Sequence, residues 1–207
     1  QLAPELEGVN RELIMISAYF VPGQPGLVYL TGRADAGVSV SLLTNSLEAT
    51  DVPAVHGGYA PYRKALLEHG VKLYELRRQP GDGGGSGPHL FRRGTFRGSD
   101  SSLHSKAMIF DRQKSFIGSF NFDPRSVLWN TEVGVLVDSP ELAEHLRNLA
   151  LQGMAPALSY EAKLQDGQVV WTTEDNGQPH TLTREPGSWW RHFNAWFATS
   201  VGLERML

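Results

Sequence analysis

The segment His104-Ser-Lys-Ala-Met-Ile-Phe-Asp-Arg-Gln-Lys-Ser-Phe-Ile-Gly-Ser-Phe-Asn121 contains two short apolar runs separated by a polar turn. Residues 106–110 and 114–117 have the length and the β-branched or aromatic content of strands, and Asp111-Arg-Gln between them is typical of a turn. We therefore predict a β-hairpin here, and the rest of the fold is built outward from it.

Upstream of the hairpin, strand-like and helical patterns alternate. Buried-strand patterns occur at 13–20, 38–44 and 71–76, and helical patterns at 27–34 and 61–69, each helix being followed by a glycine. Strands that alternate with helices of this length imply crossover connections. The predicted fold class is therefore α/β, an αβα sandwich around a mixed, largely parallel sheet.

Downstream of the hairpin, we expect one more strand at 132–137 and then a helix with Ser139 as N-cap and Pro140 as its first residue. Asp166-Gly167 and Asn176-Gly177 next separate three short runs, which predicts a β-meander. Aromatic residues spaced by three and four after Ser188 predict an amphipathic helix. We favour packing of this helix on the sheet over a membrane-surface role, because its polar face has few basic residues.

These patterns predict two domains. Residues 1–152 form the sheet domain, and residues 153–207 form a small region with the β-meander and the aromatic helix. The sequence begins at Gln1 without the pattern of a signal peptide, and we expect it to be a piece of a longer protein.

The amino-acid composition disfavours or excludes several classes of function. The 207 residues include 19 Lys and Arg against 22 Asp and Glu, so the dominant basic surface expected for nucleic-acid binding is missing. There is no cysteine, which excludes disulfides, thiolate nucleophiles and zinc–thiolate sites. The longest apolar runs fall far short of a membrane-spanning helix.

The region 77–103 is glycine-rich and locally basic, and two interpretations of it stay open. It either contacts anionic lipid headgroups or is a solvated flexible loop. The arginines concerned are Arg77, Arg78, Arg92, Arg93 and Arg97.

His104 and Lys106 are the residues that most directly indicate chemistry. Side chains alternate along a strand, so an imidazole and an ammonium two residues apart project on the same face. Such a pair suits a phosphodiester, because the lysine neutralises non-bridging oxygens while the imidazole attacks phosphorus or protonates the leaving oxygen.

The turn after the hairpin adds neutral groups. Ser119 and Asn121 are predicted to donate hydrogen bonds to the same phosphate, and Gly118 permits a close backbone approach. Together with the His-x-Lys pair, these residues predict a phosphate site without a metal or another cofactor.

Three further residues complete the predicted site. Glu132 is expected to hold one ring nitrogen of His104 and so fix its tautomer. Asn45 follows a strand end, where ligands of open α/β sheets bind, and is predicted to bind substrate. Asp111, at the hairpin turn, is a structural partner rather than a catalytic acid. A lone loop histidine, His56, is more often structural than functional.

The pattern His104-x-Lys106-x4-Asp111-x6-Gly118-Ser119-x-Asn121 resembles the HKD motif of the phospholipase D superfamily. Further stretches, which span roughly residues 10 to 150, resemble bacterial cardiolipin synthases, especially their C-type branch. These stretches are 17–23, 43–47, 49–51 with 55–59, and 122–126 with 130–132.

The resemblance implies a duplicated αβ sandwich in which two HKD motifs meet at a pseudo-twofold axis, without metal, and form a phosphohistidine intermediate. This chain has one motif. By resemblance, His104 belongs to the second repeat and takes the role of general acid and base, while the nucleophile belongs to an upstream half of the same protein.

The resemblance also implies the reaction and its setting. The expected reaction is the transfer of a phosphatidyl group from one phospholipid to a glycerol hydroxyl of another, at the surface of the bacterial inner membrane, with the cytoplasmic side favoured. Two alternatives stay open. One is a single-motif phosphodiesterase or nuclease that completes its site as a homodimer, which the acidic charge balance disfavours; the other is a catalytically silent scaffold.

Overall fold

The computed structural model describes residues 2–78, 103–119, 121–122 and 133–188. In these residues the helices are α1 Ala3–Gly8, α2 Gly23–Asp35, α3 Pro53–Tyr59, α4 Arg63–Glu68 and α5 Pro140–Gly153, with a 3-10 turn at Ala60–Tyr62. The strands are β1 Glu12–Ser17, β2 Ser39–Asn45, β3 Lys72–Leu76, β4 Lys106–Phe110, β5 Lys114–Gly118, β6 Gly134–Asp138, β7 Ser159–Gln165, β8 Gln168–Asp175 and β9 Gln178–Leu182.

The nine strands form one mixed sheet in the order β6-β5-β4-β1-β2-β3-β7-β8-β9. The predicted α/β class is confirmed. The expectation of a largely parallel sheet is wrong, because parallel pairing is confined to β1–β2 and β2–β3. The six other pairs of the described sheet are antiparallel. Helical crossovers enforce parallel pairing only between the first three strands, whereas tight hairpins join β4 to β5, β7 to β8 and β8 to β9.

Two apolar cores cover the two faces of the sheet, and the alternation of side chains along β1 separates them. Leu13 and Met15 belong to the core that packs under α2 and α4. Ile14 and Ile16 belong to the core that packs against Ala143 and other residues of α5. Period-two alternation in a strand buried on both sides thus produces the αβα layers.

Capping residues and glycines in the sequence correctly predicted where several helices begin or end. The Ser139 hydroxyl caps α5 by accepting a hydrogen bond from the Leu142 amide at 3.2 Å. Gly37 and Gly70, with φ of +91° and +81°, follow α2 and α4. The sequence did not predict α3, because Gly57 and Gly58 lie inside it and glycine is a poor helix former.

The predicted β-meander is confirmed as β7, β8 and β9. Both of its hairpin turns have positive φ at their two central residues, 51° and 75° at Asp166-Gly167 and 51° and 77° at Asn176-Gly177, as type I′ turns require. Because β7 pairs with β3, the meander extends the central sheet. The domain division after residue 152 stays a prediction, and the predicted aromatic helix lies outside the described residues. Among the described helices, none combines the length and hydropathy needed to cross a membrane.

Candidate active site

The candidate site lies where β1 and β2 end and β4 begins. Because β4 runs antiparallel to β1, its first residue Lys106 pairs with Ser17, the last residue of β1. Asn45 is the last residue of β2, which is parallel to β1. Ligands of open α/β sheets bind beyond the carboxyl ends of such strands. The fold therefore brings His104, Lys106 and Asn45 to the edge of the sheet where a ligand is expected.

His104 lies two residues before β4 rather than on it, and about 40% of its side chain is exposed. The alternation argument consequently does not apply to this residue. Instead, the Lys106 ammonium turns back and donates a hydrogen bond to the His104 carbonyl at 3.0 Å. Lysine nitrogen and histidine backbone are thus held together by a direct contact.

Asn45 fastens the segment that leads into His104. Its Nδ2 donates to the carbonyl oxygens of Ala18 and Leu103, both at 3.1 Å, and its Oδ1 accepts from the Leu103 amide at 2.8 Å. Both amide hydrogens of this buried side chain are therefore used within the protein. These contacts hold the backbone that precedes His104, and binding of substrate by Asn45 stays a prediction.

Asn121 is brought to the same end of β1 by its neighbour Phe122. The Phe122 amide donates to the Ser17 hydroxyl at 3.3 Å, and the Phe122 carbonyl accepts from the Val21 amide at 2.7 Å. The Phe122 ring stacks on Phe20 at 5.4 Å. Among the described residues, the Asn121 Oδ1 atom is buried and has no hydrogen-bond partner. Such an atom is an available acceptor at the site.

Gly118 and Ser119 close the end of the β5–β6 pair. A Cβ on Gly118 would lie 2.6 Å from the Val133 carbonyl oxygen and 2.9 Å from the Phe116 ring, so only glycine fits. The Ser119 amide donates to the Val133 carbonyl at 2.8 Å, and its hydroxyl accepts from the Val133 amide at 3.1 Å. Binding of phosphate by Ser119 stays a prediction.

Asp111 lies at the opposite end of β4, which is about 17 Å long. Its carboxylate accepts hydrogen bonds from the backbone amides of Asn10, Arg11 and Glu12 at 2.9, 2.7 and 2.8 Å. Burial opposes ionisation, but these three bonds outweigh it and lower the pKa of Asp111. The motif aspartate thus locks the hairpin turn to the start of β1, far from His104.

A sequence model of the family described as "Cardiolipin synthase, PLD-like domain" matches residues 3–152, which is most of the chain. The chain belongs to this family. The resemblance to the phospholipase D superfamily is thereby confirmed.

Relatives of this PLD-like domain include cardiolipin synthases. The chain is 39% identical over 203 residues to cardiolipin synthase C of Escherichia coli strain K12, covering 96% of this chain and 41% of that protein. It is 29% identical over 143 residues to cardiolipin synthase B of the same strain, covering 69% and 29%. The chain therefore spans less than half the length of these relatives.

Solved structures agree on the fold of the PLD-like domain. Nuc, a phospholipase D family member from Salmonella typhimurium, gives a TM-score of 0.52 at 17% identity and covers 72% of this chain and 82% of its own. Phosphatidylserine synthase from Haemophilus influenzae Rd KW20 gives 0.63 at 13% identity, with 98% and 42% covered.

Some predicted residues of the PLD-like domain cannot be placed. Glu132 lies outside the described residues, so its pairing with His104 stays a prediction, and the same holds for Arg92, Arg93 and Arg97. Arg77, from the same basic stretch, forms an ion pair of 2.7 Å with Asp175, which is a structural contact.

Asp51 was not predicted as a site residue, yet it lies beside His104 in the PLD-like domain. Its Oδ2 is 3.9 Å from His104 Nε2, and its Oδ1 accepts a hydrogen bond of 2.7 Å from the Tyr19 hydroxyl. Burial, together with the bond to Asp51, raises the pKa of Tyr19. The stretch around Asp51 is part of the family resemblance, but nothing in its spacing indicates contact with a histidine so distant in sequence.

His56 belongs to a buried cluster of charges, in accord with its structural interpretation. Its Nε2 is 2.5 Å from Glu185 Oε1, and Arg63 lies 2.6 Å from the same oxygen and 2.8 Å from Glu75. Burial opposes the charge of Arg63, but Glu75 and Glu185 outweigh it and raise the pKa of Arg63. Donor atoms of His56, Glu75 and Glu185 lie within 4.8 Å of one another, but Arg63 already neutralises both carboxylates where a cation would sit.

Proposed function

We propose that the protein transfers phosphatidyl groups between phospholipids and that His104 supplies one of the two histidines required. The observation that carries this proposal is the convergence of His104, Lys106 and Asn121 at one edge of the sheet, in a chain 39% identical to a cardiolipin synthase C. The intact motif argues against a silent scaffold.

In the proposed reaction, His104 acts as general acid and then as general base. A histidine of the upstream half attacks phosphorus, and His104 gives its proton to the departing glycerol oxygen as the P–O bond breaks. An acceptor hydroxyl next loses its proton to His104 and attacks phosphorus, which breaks the P–N bond and frees the first histidine. At the end of the cycle His104 has regained its proton, and the P–O bond to the leaving group has been replaced by a P–O bond to the acceptor.

The neighbouring residues have distinct roles in this scheme. Lys106, Asn121 and Ser119 surround the phosphate, with the Lys106 ammonium offsetting the negative charge that develops on its oxygens. Glu132 holds a ring nitrogen of His104, and Asn45 fixes the backbone in front of it. Asp111 and Gly118 maintain the hairpin that presents these groups.

An upstream half of the same protein is the proposed partner. Apolar side chains lie exposed on one face of the β5–β6 edge, near the end where the site is: Val135 pairs with Ile117, Val133 lies two residues before Val135, and the three are 41 to 71% exposed. A contiguous apolar surface of this kind is typical of a region that another unit covers. We propose that the upstream half covers it and supplies the second HKD motif.

The substrates are lipids, and we propose peripheral contact with the surface of the bacterial inner membrane, the cytoplasmic side being favoured. A homodimeric phosphodiesterase is the second candidate. It is favoured by the single HKD motif of this sequence, because a second copy of the chain would supply the second histidine. The net charge of −3 argues against a nucleic-acid substrate for either arrangement.

The test is His104→Ala in the full-length protein, assayed for lipid transfer on phosphatidylglycerol in mixed micelles. Because an essential acid and base is lost, we expect turnover to fall by at least about 10². His180→Ala, which removes an exposed histidine of β9, should leave turnover unchanged. Retention of more than about a tenth of the activity by the His104 variant would refute the assignment.

A further inference from the structure

Asp51 and His104 lie side by side at the surface of the candidate site. Their side chains are 37% and 40% exposed, and Asp51 Oδ2 lies 3.9 Å from His104 Nε2. This separation is too long for a direct hydrogen bond between the two atoms. It is suitable for polar groups of a ligand that contact both side chains at once.

The Asp51 carboxylate is fixed in place by its surroundings. Tyr19 donates its hydroxyl to Oδ1 at 2.7 Å, and the raised pKa of Tyr19 keeps this phenol protonated as a donor. The turn that carries Asp51 is closed by hydrogen bonds from the Thr50 amide to the Ser46 carbonyl at 2.9 Å and from the Val52 amide to the Thr50 hydroxyl at 3.2 Å. Oδ2 is thus held beside His104 by a preorganised segment.

A carboxylate beside a phosphate site has a restricted set of partners. Like charge prevents it from binding the phosphate itself, whereas it accepts hydrogen bonds well from a hydroxyl. The proposed reaction requires an acceptor hydroxyl at His104. A glycerol unit carries a second hydroxyl on the neighbouring carbon, and the two hydroxyls of such a vicinal diol can reach His104 Nε2 and Asp51 Oδ2 together.

We propose that Asp51 binds the second hydroxyl of a vicinal-diol acceptor while His104 binds the hydroxyl that reacts. Asp51, positioned by Tyr19, is then the residue that selects a glycerol-type acceptor over water or a simple alcohol. This inference rests on the proposed function and specifies its acceptor. The diol belongs either to a lipid headgroup or to free glycerol, which share the chemistry recognised here.

The experiment is a competition in the full-length protein, with phosphatidylglycerol as donor and equal concentrations of propane-1,2-diol and propan-1-ol as acceptors. Asp51→Ala should lower the ratio of diol to mono-alcohol product by about tenfold, since a hydrogen bond to a charged group is lost. Tyr19→Phe should lower it in the same direction by less, because the carboxylate remains. Lipid-to-lipid product formed in parallel shows which source of diol is used.

Asp35→Ala is the matched control, because Asp35 is an exposed carboxylate that pairs with a histidine elsewhere, His69 at 2.9 Å. It should leave the ratio unchanged. If the wild-type protein transfers to alcohols but Asp51→Ala keeps the wild-type ratio, Asp51 does not select the acceptor. If the wild-type protein forms no transfer product at all, the proposed function itself fails.

Discussion

Arg63 is surrounded by groups from distant parts of the chain. Glu75 on β3 and Glu185 beyond β9 bind its guanidinium, while the rings of Tyr59 and Trp171 lie 4.8 and 5.2 Å from it. A buried charge of this kind is tolerated only when its partners are complete. The cluster therefore ties Glu185, which lies beyond β9, to α3 and α4 through His56 and Arg63.

We predict that Glu185→Gln lowers the free energy of unfolding by about 2–4 kcal/mol at neutral pH, because Arg63 and His56 lose a buried anionic partner. Urea denaturation measures this loss. Asp138→Asn is the control, since Asp138 is 72% exposed and its pair with Lys114 spans 3.8 Å, and it should cost less than about 1 kcal/mol. Equal losses in both variants would contradict a special role for the cluster.

The same cluster predicts a pH dependence. Burial opposes ionisation of Glu185, but His56 and Arg63 outweigh it and lower the pKa of this carboxyl from 4.5 to about 2. A lowered pKa contributes stability that is fully present above the unfolded value and lost as the pH falls toward the folded value. The difference between wild type and Glu185→Gln should thus be largest above about pH 5 and shrink toward pH 2. A difference that does not change with pH would contradict this linkage.

At the residue scale, the sequence predicted what depends on local spacing. His104, Lys106 and Asn121 were predicted as site residues because the motif keeps them close along the chain, and their roles stay predictions. The contact between His56 and Glu185 joins residues 129 positions apart, and no local pattern records it. Asn45 was placed correctly at a strand end, but its partners were not foreseeable, because they are backbone groups of other segments.

At the scale of elements, the β5–β6 pair depends on two facing glycines, Gly118 and Gly134. The Phe116 ring covers both, since a Cβ would meet it at 2.9 Å from Gly118 and 2.2 Å from Gly134. An aromatic ring that fills the space above paired glycines supplies the apolar contact that they lack. The polar turn from Ser119 onward begins where this pair ends.

We predict that Gly118→Ala lowers the free energy of unfolding by about 1–3 kcal/mol, because the added methyl group overpacks the strand pair. It should also reduce lipid transfer by the full-length protein, since Ser119 and Asn121 follow directly. Thermal denaturation and the transfer assay check both effects. Gly32→Ala is the control, because space is open at this position of α2, and alanine there should stabilise by about 0.5–1 kcal/mol.

The sequence predicted most element types but not the sheet order. Runs such as 38–44 and 71–76 were recognised from apolar content, and turn chemistry located the hairpins. The relative direction of the strands was mispredicted because β4 pairs with β1 across a long stretch of chain. No local sequence signal specifies whether that pairing is parallel or antiparallel.

For the whole molecule, we predict that residues 1–207 alone do not transfer phosphatidyl groups, since a single HKD histidine cannot both attack phosphorus and protonate the leaving oxygen. Adding the separately expressed upstream half should restore turnover. Robust turnover by the monomeric chain would refute this half-site arrangement. A twofold dimer with activity, identified from the mass in solution, would instead support the homodimeric alternative.

The exposed apolar side chains of the β5–β6 pair can be tested in the same experiment with two matched variants. Val135 on β6 and Val28 on α2 are both 60% exposed. Val135→Lys should weaken recovery of activity by the upstream half by more than tenfold, because a lysine would be buried in the contact, whereas Val28→Lys should not. Equal recovery with both variants would place the contact elsewhere.

The contact of Glu185 with Arg63 also has a consequence for how the protein is made. Ribosomes synthesise a chain from its N-terminus, so Arg63 and Glu75 leave the ribosome long before Glu185. Before residues 171 to 185 are synthesised, the Arg63 guanidinium and His56 lack Glu185 as an anionic partner, and Trp171 does not yet cover Arg63. Nascent chains that stop near residue 152 should therefore be more susceptible to proteases than chains that include residue 185. The sheet should reach its final packing only after residue 185 has been synthesised.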